Sequence, residues 1–84
     1  MKRYIIIIEN ALRNFSAFCP DVPGCVTTGN TVENTAGNMR KAMESHLEDE
    51  AILPEAHDIT YLQNHGFFTE IAEEFFISSV EVNF

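Results

Sequence analysis

Apolar residues change their spacing along the chain, and each change marks an element. Tyr4-Ile5-Ile6-Ile7-Ile8 is apolar at every position and rich in β-branched side chains. That pattern suits a strand covered on both faces, and the turn-prone Glu9-Asn10 bounds it. After a linker of hairpin length, Phe15-Ser16-Ala17-Phe18-Cys19 reads as a second strand. Pro20-Asp21-Val22-Pro23-Gly24 then imposes a turn, because two prolines fix φ and remove two backbone donors while Gly24 admits positive φ. Cys25-Val26-Thr27-Thr28 resumes as a short third strand, ended by Gly29-Asn30. The three strands make an antiparallel meander.

Val32, Ala36, Met39, Met43 and Leu47 are spaced four, three, four and four, which sets them on one stripe of a helix. Thr31 is placed as its N-cap, and Glu33 lies in the first turn, where the helix dipole favours an acid. The spacing predicts a helix over 32–50 lying on the sheet through that stripe. Arg40, Lys41, Glu44, Glu48, Asp49 and Glu50 would form its solvated face. Gly37 in the interior costs about 1 kcal/mol against Ala. It implies either a close backbone approach or a helix below its optimum. Acids at the C-terminal end oppose the dipole, which fits an outside binding duty or ordinary tolerance. Pro54 closes the element. Asp58 is a cap for a short helix through Asn64, stopped by His65-Gly66. Phe67 to Glu74 reads either as helix or as irregular chain. Phe75 to Phe84 reads as a final strand, with Val80, Val82 and Phe84 alternating with Ser79, Glu81 and Asn83. The order is β-β-β-α-β with a short helix before the last strand, an α+β class. At 84 residues the chain has room for a single domain, 1–84.

Charge sharpens this picture. The chain carries 5 Lys+Arg and 13 Asp+Glu for a net −8, and the signs are segregated. Residues 1–41 hold every base and sum to +2, whereas residues 42–84 hold ten acids and no Lys or Arg, a net −10. Binding a polyanion relies on cations that displace its counterions, so direct nucleic-acid binding and an anionic membrane surface are disfavoured. A basic partner would be steered to the acidic half. Solubility alone is the blander explanation of the same acids. No window approaches the ~18 apolar residues of a membrane span. Lys2 and Arg3 before the apolar run imitate a signal peptide, but five apolar residues are too few. A soluble, cytoplasmic protein is the expectation.

Candidate chemistry is sparse. Cys19 and Cys25 flank the turn, which permits but does not require a cross-hairpin disulfide; both read as small buried apolar groups. His46, His57 and His65 lack metal-ligand spacing, so neither a metal nor a cofactor is expected. No serine sits in a nucleophile turn, and Glu9 and Glu81 are too few for a metal-dependent nuclease site. The pattern implies no catalytic residues and no enzyme.

One block of residues carries a resemblance. Phe18, Pro20, Asp21, Pro23, Gly24 and Cys25, followed by Gly29 and Thr31 and then by Asn38 and Ala42, resemble the signature of the HicB antitoxin family. Leu53-Pro54 and Ser79-Val80-Glu81-Val82 extend the likeness over nearly the whole chain. Asn34 and Thr35 depart from the family's Glu-Ala, and Ala56 to Glu74 has no clear counterpart. Many members append a helix-turn-helix or ribbon-helix-helix domain; this chain stops at Phe84, so operator binding by it alone is not expected. The resemblance implies a partial ribonuclease H-like fold without catalytic acids. It also implies a partner, a small basic HicA-type toxin that cleaves mRNA and whose active site the antitoxin covers. Glu44, Glu48, Asp49 and Glu50 are the expected contacts, with Glu73 and Glu74 second, while the Asp21 turn reads as structural. A solitary HicB-like interaction or scaffold module is the alternative, and a residual hydrolase a remoter third. Phe67, Phe68, Phe75, Phe76 and Phe84 have little to cover them unless the 55–74 segment folds over them, so a homo-oligomer is expected.

Overall fold

The structure is a computed structural model that describes residues 2–68 and 74–83. Its elements are β1 (Lys2–Asn10), β2 (Phe15–Phe18), β3 (Val26–Gly29), α1 (Val32–Leu47), α2 (Ile59–Asn64) and β4 (Phe75–Val82). The four strands form one antiparallel sheet in the order β3-β2-β1-β4. β1 is central: Ile7 pairs with Phe18 on one side and with Ile77 on the other. Its unbroken apolar run is explained by cover on both faces, with Tyr4, Ile6, Ile7 and Ile8 all fully buried.

Residues alternate between the faces. On one face Tyr4, Ile6, Ile8, Ala17, Val80 and Val82 join Met39, Met43 and Leu47 of α1 in the main core. Val32, Ala36 and Ala42 pack against it, half-buried. Burying each of the three large helix side chains stabilises the fold by about 1.5–3 kcal/mol. On the other face lie Ile7, Ile77 and Phe75 by the same parity, and Phe68 stacks on Phe75 with ring centroids 6.0 Å apart. The segment after α2 therefore reaches the second face. α2 buries Leu62 completely. Asp58 caps it through the Tyr61 N–H, and its C-terminus closes with Gly66 N–H to Gln63 O and Phe67 N–H to Leu62 O, a Schellman pairing around a left-handed Gly66.

Several boundaries differ from those the pattern predicts. α1 stops at Leu47, not at 50: Leu47 is the last residue of the stripe, and Glu48-Asp49-Glu50 have no apolar face to bury. There the Glu50 N–H turns back to the Leu47 carbonyl at 3.0 Å. β1 runs longer at both ends, with Lys2 and Arg3 pairing with Val82 and Glu81. β2 ends at Phe18 because the Cys19 carbonyl is taken by the turn, and β3 begins at Val26. β4 ends at Val82, since the Asn83 N–H leaves the ladder for the Glu44 carboxylate at 3.1 Å. Phe84 lies outside the described residues. Of the phenylalanines expected to lack cover, Phe68 and Phe75 are half-buried against each other, while Phe67 and Phe76 stay exposed.

Two glycines with opposite roles test this packing. A Cβ on Gly29 would stand 2.5 Å from Thr35 Oγ1 and 2.8 Å from the Thr35 backbone, so β3 meets the first turn of α1 without room for a methyl group. A Cβ on Gly37 would meet nothing within 4 Å, which decides for a helix below its optimum. In urea unfolding, Gly29→Ala should destabilise by well over 1 kcal/mol and Gly37→Ala should stabilise by about 0.5–1 kcal/mol.

Candidate partner-binding surface

The turn between β2 and β3 is two consecutive β-turns. Val22 N–H bonds to Cys19 O at 3.1 Å and Cys25 N–H to Val22 O at 3.4 Å, with Pro20 and Pro23 each at the second position. Gly24, at φ +85, takes the third position of the second turn, the type II geometry. Val22 dips into the core between Cys19 and Cys25, and all three are buried.

The geometry leaves Asp21 aimed at the connection that follows α1. Its Oδ1 lies 2.7 Å from His57 Nδ1, and its Oδ2 accepts the His57 backbone N–H at 2.8 Å. An ionised carboxylate only accepts hydrogen bonds, so His57 Nδ1 carries the proton. The Asp21 side chain is 6% exposed, a charge that burial tolerates only because it is paired. Nearby, the Pro54 carbonyl accepts from Tyr4 Oη at 2.6 Å and from Lys2 Nζ at 3.1 Å. The His57 ring stacks on Tyr61 at 3.7 Å, and Tyr61 stacks on His65 at 3.9 Å. Asp21, β1, Pro54 and α2 are thereby stitched together across one end of the sheet. Composition gave no sign of this pairing, but the spacing of His57, Tyr61 and His65, four and four, was a visible signal for a stacked column.

The other signature residues are distributed along the same frame. Thr31 Oγ1 accepts the Asn34 N–H at 2.9 Å, Asn34 Oδ1 accepts the Asn30 N–H, and Thr35 Oγ1 donates to the Thr31 carbonyl at 2.6 Å. The two departures from the family pattern, Asn34 and Thr35, thus serve the helix start. Asn38 Nδ2 donates to the Thr28 carbonyl at 2.9 Å, Ala42 packs on the core, and Phe18 is half-buried at the end of β2.

The expected contact acids do not form one group. Glu44 is half-buried, accepts the Asn83 N–H and lies 3.6 Å from Arg40. Glu48, Asp49 and Glu50 are exposed just past α1, at the end of the sheet where Lys2 pairs with Val82. Exposed Glu55 and Asp58 follow on the same connection. Glu74 precedes Phe75, which pairs with Glu9, so it lies at the opposite end, about 27 Å away along the eight residues of β4. Glu73 lies outside the described residues. Among the described residues no group of three His, Cys, Asp or Glu side chains is close enough to hold a metal, and no helix is long and apolar enough to cross a membrane. Cys19 and Cys25 are free thiols. Burial pushes Cys19 up to about 11, against the pull of the Asp21 and Val22 backbone N–H groups, and burial raises Cys25 as well. Tyr4 is also raised, chiefly by burial.

An α+β plate with one helix-covered face, one stitched end and an acidic turn at that end is the frame these residues define. The family model for the HicB-like antitoxin of bacterial toxin–antitoxin systems matches residues 4–82, and the chain belongs to that family. A 14.9 kDa protein of the rep–hol intergenic region of Haemophilus phage HP1 is 30% identical over 84 residues, covering 95% of this chain. The chain spans 60% of that relative's length. A chain of the HicA3 and HicB3 toxin-antitoxin complex superposes with a TM-score of 0.74 at 26% identity, over 98% of this chain and 99% of its own length. The N-terminal domain of the Burkholderia pseudomallei antitoxin HicB gives a TM-score of 0.76 at 18% identity, over 99% of this chain and all of that one, a likeness of fold.

Two measurements check the stitched end. Asp21→Ala removes two charge-assisted hydrogen bonds and should cost about 2–3 kcal/mol in urea unfolding. Because the folded Cys19 thiol titrates near 11 rather than at the ordinary 9.0, the unfolded chain releases its proton first. Stability should therefore hold up to pH 9 and fall between pH 9 and 11, and Cys19→Ala should flatten that fall.

Proposed function

We propose that this chain is an antitoxin that binds a small basic toxin of the HicA type and covers its active site, without turnover of its own, in the cytoplasm. The observation that carries the reading is the likeness, over 98% of the chain, to a chain of the HicA3 and HicB3 toxin-antitoxin complex, within an antitoxin family. The charge supports it physically. The toxin's substrate is RNA, so its working surface must hold phosphates, and an acidic protein competes for such a surface. A net charge of −8 likewise supports the reading that the chain alone holds neither nucleic acid nor an anionic membrane.

Among the acids, exposure supports one group over the others as the contact. Glu48, Asp49 and Glu50 rank first because they are exposed on the connection that Asp21 and Tyr4 tie to the sheet through His57 and Pro54. Glu44 is already engaged by Asn83 and contributes less. Glu74, at the far end, and Glu73 stay secondary.

Co-expression with the product of a flanking gene tests this. The wild-type chain should restore growth and co-purify with the toxin. Glu48→Lys, Asp49→Lys and Glu50→Lys together should abolish rescue and weaken binding at least tenfold, with the circular dichroism unchanged. No toxic flanking product, or full rescue by the triple variant, would overturn the activity or the contact respectively.

A further inference from the structure

The stacked column of His57, Tyr61 and His65 extends beyond the contact that ties down the connection. His57 alone meets Asp21, through its backbone N–H and its Nδ1. The rings of Tyr61 and His65 take no part in that pairing, yet they continue from it at 3.7 Å and 3.9 Å, tilted by only 12° and 20°. Exposure rises along the column: His57 is half-buried, Tyr61 is 37% exposed and His65 is exposed. The outermost ring is also oriented. His65 Nδ1 lies 2.8 Å from the Tyr61 carbonyl, which only accepts, so this nitrogen carries the proton and the ring is held against rotation. Among the described residues no ring stacks on the outer face of His65. Nearly parallel faces at van der Waals spacing, ending in an open one, form a stacking platform. Its surroundings are anionic: Glu55 lies 3.8 Å from His57 Nε2, and the exposed Asp58 accepts the Tyr61 N–H. His65 itself stands at the C-cap of α2, where the terminal carbonyls add partial negative charge.

We propose that this platform receives an arginine side chain of a basic protein partner, with the guanidinium lying flat on the open face of His65. A flat, electron-rich ring in an anionic setting calls for a ligand that is planar and cationic at once. Guanidinium meets both conditions, because it stacks on aromatic faces and keeps its charge. A lysine ammonium is a strongly hydrated point charge and matches only the second condition. A nucleobase matches only the first. Platforms that stack bases sit in grooves whose cations follow the phosphates, and residues 42–84 hold no Lys or Arg. The inference rests on the antitoxin reading for the identity of the partner: a toxin surface that holds RNA phosphates carries the cations this column would take. It extends the contact from Glu48, Asp49 and Glu50 along the same connection to α2.

Two experiments separate this inference from the antitoxin reading. The first needs no toxin. In NMR spectra of the whole chain at about pH 8, above the ordinary imidazole range, a short peptide with two arginines should shift the ring resonances of His65 and Tyr61. The same peptide with lysines in their place should shift them about threefold less. The second uses the toxin that co-purifies with the wild-type chain. His65→Ala should weaken its binding by about threefold to fivefold with the circular dichroism unchanged. His65→Phe, which keeps a flat ring and loses only the bond to the Tyr61 carbonyl, should bind about as well as wild type. Equal shifts from both peptides overturn the proposal, and so do larger shifts of the same rings by a single-stranded RNA. A toxin that binds His65→Ala as tightly as wild type also overturns it, while leaving the antitoxin reading intact. Ring shifts specific to arginine in a chain that meets no toxin support the platform and count against the antitoxin reading alone.

Discussion

A strand with a neighbour on each side and cover on both faces is the hardest element for a short chain to satisfy, and β1 is that strand. Its backbone is paired by β2 and β4, and four of its five consecutive apolar side chains have no exposure. Eighty-four residues leave little material for the two layers this demands. α1 supplies one, through a stripe of two methionines and a leucine. The other comes from the second face's own side chains and from the chain after α1, which turns round the end of the sheet until Phe68 meets Phe75. The connection between Leu47 and Ile59 therefore has a task beyond joining helices: it must hold its course around an edge where neither strand nor helix guides it.

Asp21 is what holds that course. One carboxylate takes both the backbone N–H and the ring nitrogen of His57, and the Tyr4 hydroxyl, rising from the buried strand, takes the carbonyl of Pro54. Each contact spans at least 36 residues of sequence and ties the turn or the central strand to the connection. The two prolines and the glycine of the turn shape its backbone, yet they do not by themselves call for an acid at the position between them. The acid is explained by what it holds. The three acids beyond α1 lie exposed on this same connection.

The sequence made the strands and α1 legible because their signals are periodic and local. The unbroken apolar run of β1, the four-three-four-four stripe of α1, the Thr31 and Asp58 caps and the Gly66 stop all predict the elements observed. Errors of one or two residues fell where backbone groups found partners outside the ladder, as at Cys19 and Asn83. The site was less legible, for a physical reason. Residues 21 and 57 are brought together by the path of the chain round the sheet, and no local period encodes that path. The acids of residues 42–84 gave a single sum of −10, but the antiparallel course of β4 sends Glu74 to one end while Glu48, Asp49 and Glu50 stand at the other. Sequence counts charge; only topology distributes it.

That distribution sets where a charged partner would be drawn. Under the proposed function the acidic end would act at a distance, over roughly the 8–10 Å of a Debye length at moderate salt, and favour a basic partner before contact. Added salt would screen that attraction, so a partner held by the acidic end would bind more weakly as ionic strength rises, whereas one held by apolar contact would not.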